Sequence, residues 1–69
     1  MPAHVEPLSA REQEIVCLLA EGLDNRQIAD RLILSEKTVK NHLSRIYEKL
    51  KVANRTQAVV ECKMYGFIS

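Results

Sequence analysis

Between Ser35 and Lys51 the chain gathers side chains that can donate hydrogen bonds to anions and to base edges. Lys37, Lys40, Arg45, Lys49 and Lys51 carry positive charge, while Asn41, His42 and Ser44 are polar groups able to donate without a full charge. Lysine can donate to guanine O6 or N7, and asparagine can pair bidentately with adenine N6 and N7. Cations on the same surface can neutralise phosphates. The chemistry on offer is recognition rather than bond-making. No glycine-rich phosphate loop accompanies these residues. A length of 69 residues leaves little room for both a core and a substrate pocket, so an enzyme is disfavoured.

Recognition requires that such groups share one face. At about 100° per residue, Val39, Leu43, Ile46 and Leu50 fall within a narrow arc, the stripe of a core-facing helix. Lys37, Lys40, Asn41, Ser44, Arg45, Glu48 and Lys51 lie opposite, and His42 and Lys49 sit on one flank. The charge distribution agrees. Residues 1–34 hold three arginines against six acids, residues 35–51 five cations against two acids, and residues 52–69 two cations against one acid. A formal net charge of +1 therefore hides a segment holding half of the ten basic residues. Localised positive charge is the electrostatic footprint of a nucleic-acid binder. A solvated lysine-rich helix face is the plainer account of the same charges.

The elements that would position this face are helices throughout, an all-α fold over about 10–21, 25–32, 36–50 and 55–65. Ser9-Ala10-Arg11-Glu12 has the form of a capping box, with Leu8 placed as a hydrophobic staple. Gly22 follows the first helix as the expected left-handed terminator. Asp24-Asn25-Arg26-Gln27 repeats the box, Ser35 caps the third helix and Asn54-Arg55-Thr56-Gln57 opens the fourth. No alternating apolar stretch is left over for a strand. Helices two and three, joined through Ile33-Leu34, form a helix-turn-helix. Ala29 allows close approach, and Val39, ten positions later, anchors the second helix. Ile28, Leu32 and Leu34 support them. The turn usually favours Gly, and Ile33 departs from that.

Composition narrows the class. Apolar types make up 46% and charged types 28%, values of a folded domain rather than a disordered chain. The longest apolar run, Ile15 to Ala20, falls far short of the roughly 20 residues of a membrane span. Cys17 and Cys62 read as inert thiols, with neither a disulfide framework nor metal-ligand spacing, even with His4 and His42 counted. A reduced, cytoplasmic compartment is expected. Tyr47, Tyr65 and Phe67 are too dispersed for a base-stacking platform, which disfavours single-stranded RNA.

Together these residues resemble a known family. Leu8-Ser9-x-Arg11-Glu12, Leu19-Ala20-x-Gly22, Asn25-x-x-Ile28-Ala29, Leu32 and Ser35-x-x-Thr38-Val39-Lys40-x-His42 are similar to the LuxR/FixJ-type helix-turn-helix domain. The similarity continues through Ile46, Lys49-Leu50-x-Val52, Arg55-Thr56-x-Ala58 and Gly66-Phe67-Ile68, covering about residues 8–68. Asp24 stands where the family more often has Ser or Thr. The resemblance implies a four-helix DNA-binding domain of bacterial transcription regulators, closest to the response-regulator members of two-component systems. It also implies that helix three enters the major groove and helix four forms a dimer contact. Residues 1–7 then read as a linker remnant or N-terminal extension ahead of a DNA-binding domain over 8–69.

On that reading Lys37, Lys40, Asn41 and Ser44 contact bases. Asn25, Arg26, Thr38, His42, Arg45 and Lys49 contact phosphates, which fix register without reading sequence. Each has a plainer alternative: a solvated face for the cations, a half-buried packing role for His42. Thr56, Gln57, Val60 and Met64 form the dimer contact. The expected partners are double-stranded DNA, a second copy of the chain and RNA polymerase. No membrane, cofactor, metal or small-molecule ligand is expected. Two rivals remain, a helical protein-interaction module without DNA function and a sigma-factor-like promoter-recognition domain. The Arg55-Thr56-x-Ala58 and Gly66-Phe67-Ile68 ending argues against the second.

Overall fold

The computed structural model describes residues 7–64, and the regular structure among them is entirely helical. The helices are α1 (Ala10–Ala20), α2 (Asn25–Leu32), α3 (Glu36–Leu50) and α4 (Arg55–Met64). The spans of α2 and α3 are those expected, and α1 closes one residue early. Residues 1–6 of the linker expected over 1–7, His4 among them, the last residue of helix four at Tyr65, and Gly66-Phe67-Ile68 lie outside the described residues.

Local chemistry sets the starts. At α1 the Ser9 hydroxyl accepts the Glu12 N–H at 3.2 Å, and the Glu12 carboxylate accepts the Ser9 N–H at 2.8 Å. Asp24 and Gln27 make the same reciprocal pair, both bonds at 2.9 Å. Ser35 accepts the Thr38 N–H at 3.0 Å, and Asn54 accepts the Gln57 N–H at 2.9 Å. A cap of this kind stabilises by about 1 kcal/mol. Leu8 is buried, but Gln13 stands where a staple needs an apolar partner; its amide donates to the Leu8 carbonyl instead.

The first three helices end alike. The Leu23 N–H reaches the Leu18 carbonyl, Leu34 that of Ala29 and Val52 that of Tyr47, at 3.2, 2.8 and 3.0 Å. Each is the six-to-one bond of a Schellman turn, which needs one left-handed residue. That residue is Gly22 in α1 (φ 92°), Ile33 in α2 (φ 58°) and Lys51 in α3 (φ 56°). Ile33 takes the conformation that suits glycine, at a cost of about 1–2 kcal/mol, and β-branching makes it a true outlier. Its side chain is 91% exposed, so no burial offsets that cost.

One core joins all four helices. Ile15, Val16, Ile28, Val39, Ile46, Ala58 and Cys62 are wholly enclosed. Ala29 and Val39 meet inside as their spacing predicts, with Ile28 beside them and Leu32 and Leu34 partly covered. Helix α3 touches each of the other three. Its stripe of Val39, Leu43, Ile46 and Leu50 is buried, each such side chain contributing about 1.5–3 kcal/mol. That anchorage holds the opposite face outward. No helix among the described residues is long and apolar enough to cross a membrane.

Candidate nucleic-acid interface

The four residues expected to read bases, Lys37, Lys40, Asn41 and Ser44, are all exposed on α3. Arg45 and Lys51 extend the surface toward the helix C-terminus and are also exposed. Glu48 interrupts it. A shallow concavity of about 350 Å³ there is lined by Arg45, Glu48, Lys49 and Lys51. None of Lys37, Lys40, Arg45 and Lys51 makes an ion pair among the described residues. Their charge is open to an external anion.

Asn25 and Arg26 stand in the first turn of α2, half-buried and exposed respectively. Thr38 is half-buried in the first turn of α3. Its hydroxyl accepts from the Ser35 hydroxyl at 2.9 Å, which leaves its own proton able to donate outward. The Thr38 N–H itself is taken by the Ser35 hydroxyl. His42 is half-buried on the flank.

Lys49 differs from the other cations. Its ammonium lies 2.7 Å from Glu12 Oε1 on α1, and the two side chains are 26% and 5% exposed. The same oxygen accepts the Ser9 N–H that completes the α1 capping box. Burial pushes the Glu12 carboxyl upward, but the Lys49 ammonium and the Ser9 bonds outweigh it and hold the group below its ordinary 4.5. Glu12 is therefore a buried charged residue beside the core, a place its capping role alone did not give it. Its position was legible: it precedes Ile15, Val16 and Leu19 by three, four and seven residues, on the same helix face. Removing the ammonium would strand a nearly buried carboxylate, at a cost of about 3 kcal/mol.

A second tie escaped the sequence reading. The Arg55 guanidinium donates to the Leu23 carbonyl, joining the start of α4 to the loop after α1. Burial raises the Tyr47 hydroxyl above its ordinary 10.0, with nearby Arg55 pulling the other way, so the phenol stays neutral.

On α4 Thr56 and Gln57 are exposed, as are Val60 at 50% and Met64 at 74%. Ala58 and Cys62 point inward, as the periodicity requires. The Gln57 amide oxygen accepts the Ala53 N–H at 2.9 Å, so part of this side chain serves the helix start. Thr56 and Val60 border a concavity of about 270 Å³ shared with Leu19, Ala20, Arg55 and Val59. Burial pushes the Cys62 thiol up to about 11, with smaller contributions from Cys17 and Glu61.

Comparison with known proteins bears on the family and the fold. A family model described as bacterial regulatory proteins, luxR family, matches residues 6–62. The chain is 48% identical over 67 residues to the transcriptional regulatory protein DegU of Brevibacillus brevis, covering 97% of this chain and 28% of that protein. It is 53% identical over 58 residues to the DNA-binding transcriptional activator DevR/DosR of Mycobacterium tuberculosis, covering 80% and 27%. The chain thus spans less than a third of the length of these relatives. Among solved structures, the response regulator ChrA of a heme-sensing two-component system superposes with a TM-score of 0.89 at 51% identity, over 91% of this chain and 31% of that one. The transcription factor GerE superposes with a TM-score of 0.85 at 42% identity, over 90% and 92%. The four-helix fold, the helix-turn-helix spacing and the extent of these matches lead to one conclusion: the chain belongs to the luxR family of bacterial regulatory proteins.

Proposed function

We propose that this domain binds double-stranded DNA in a sequence-specific manner, as the DNA-reading part of a transcription regulator, with α3 in the major groove. The observation that carries this reading is the outward face of α3. Lys37, Lys40, Arg45 and Lys51 are exposed and without ionic partners among the described residues, Asn41 and Ser44 stand among them, and the opposite face is locked in the core. Relatives named as transcriptional regulators and as a DNA-binding activator support it.

Lys37, Lys40, Asn41 and Ser44 read base edges. Asn25, Arg26, Thr38, His42 and Arg45 hold phosphates and set the register. Two copies meet through Thr56, Gln57, Val60 and Met64, where Val60 and Met64 are exposed and Val60 borders the α4 concavity. A dimer places one α3 in each of two half-sites. The domain performs no catalysis and works in the cytoplasm. RNA polymerase is a further partner of such a regulator.

Selection from a random duplex library tests this, followed by anisotropy titration of the enriched pool at several salt concentrations. A motif of two related half-sites, with affinity falling steeply as salt rises, is expected. Binding without sequence enrichment would reduce the reading to backbone attachment. Absence of binding at low salt would overturn it in favour of a protein-interaction module.

A further inference from the structure

Five cations lie on or at the end of α3, and among the described residues four of them make no ion pair. Lys49 is paired there, and its partner is Glu12, 37 residues earlier on α1. On the helix wheel Lys49 lies between the buried stripe and Arg45, at the edge of the face that meets an anion. A lysine there would ordinarily swing out to a phosphate. This one is held at 2.7 Å by a carboxylate that is only 5% exposed and that also accepts the Ser9 N–H. Leaving Glu12 would strand a buried charge, whereas a phosphate on the DNA surface has water and counter-ions to replace it. The exchange is unfavourable.

The pair also has a geometric consequence. The close-packed stripe of Val39, Leu43, Ile46 and Leu50 sets which face of α3 points inward. A short charge-assisted bond at the flank is directional. Setting register is the best-attested use of a buried ion pair.

We infer that Glu12 is a positioning residue for DNA recognition: by holding Lys49 it fixes the roll of α3 and withholds one cation from the phosphate backbone, favouring discrimination over indiscriminate affinity. The inference rests on the DNA-binding reading above. Neither residue touches a base. Glu12 acts through Lys49, and Lys49 acts by staying away.

The test compares the parent domain with Glu12→Gln, Lys49→Met and the double variant. Affinity is measured on random duplex and on the selected site between 50 and 200 mM salt. Glutamine keeps an oxygen for the Ser9 N–H, so the α1 cap survives while the charge is lost. Freed Lys49 should then join the backbone contacts. The slope of log affinity against log salt on random duplex should steepen by about 0.9, an extra loss of about 3.5-fold over that range. The ratio of specific to random affinity should fall. Adding Lys49→Met to Glu12→Gln should return the slope to that of the parent. Lys49→Met alone should leave the parent slope unchanged, a reading that stands even if Glu12→Gln does not fold. A slope shallower by about 0.9 in Lys49→Met would overturn the inference, because Lys49 would then be a phosphate ligand in the complex. An unchanged slope and ratio in folded Glu12→Gln would also overturn it and leave a structural strut. Salt-dependent binding by the parent keeps the DNA reading intact in both cases. No binding by the parent would overturn both.

Discussion

Lys40 and Lys49 lie nine residues apart on α3 and meet opposite surroundings. Lys40 stands on the outward face and makes no ion pair among the described residues, whereas Lys49 is tied at 2.7 Å to a buried carboxylate. The outward face is polar, unpartnered and contributes little to folding. The inward face and its flank are apolar, capped and ion-paired. One helix therefore separates the two tasks by angle, since a group used to hold the fold is not free for a ligand. Among the described residues, Lys49 is the cation of α3 that the fold itself pairs.

The largest test of this separation is in the core. Ile46→Ala should lower stability by about 2–5 kcal/mol in urea unfolding, while Lys40→Ala should stay within about 0.5 kcal/mol of the parent. Comparable losses in both would erase the distinction between the faces. The converse test uses DNA. Lys40→Ala and Asn41→Ala should each cost about 1–3 kcal/mol of affinity for the selected site, with a smaller loss on random duplex. Equal weakening on both would remove them from base reading.

Ser35 sits between the two tasks, at the start of α3. Ser35→Ala removes the acceptor for the Thr38 N–H and should cost about 1 kcal/mol in thermal or urea unfolding. A null effect would mean that water replaces the cap. The three Schellman turns sharpen the comparison further. Gly22, Ile33 and Lys51 adopt the same conformation, yet only glycine does so without strain. Ile33→Gly should raise stability by up to about 1 kcal/mol, the left-handed cost relieved less the entropy of a more flexible unfolded chain. A loss of stability would show that the exposed isoleucine has a packing role in the turn.

The smallest effect concerns acid. The folded pKa of Glu12 is below 4.5, because Lys49 and Ser9 outweigh burial. As pH falls below that ordinary value the unfolded chain takes up the proton first, so this contribution to stability is present above it and lost below it. Stability measured from pH 6 down to about 3 should decline more steeply in the parent than in Glu12→Gln. Parallel curves would mean that the pair adds nothing to the balance.

The sequence determined by itself the four helices, their caps, the buried stripe of α3, the exposed face opposite and the helix-turn-helix spacing of Ala29 and Val39. These signals act within a few residues: a hydroxyl reaches an N–H three positions on, and apolar spacing follows the helical period. Family resemblance rests on the same local pattern. Only tertiary structure decided the pairing of Lys49 with Glu12 and the tie from Arg55 to the Leu23 carbonyl. Each joins segments more than 30 residues apart. Which flank of α3 meets α1 depends on how the two helices pack, and no local period carries that angle.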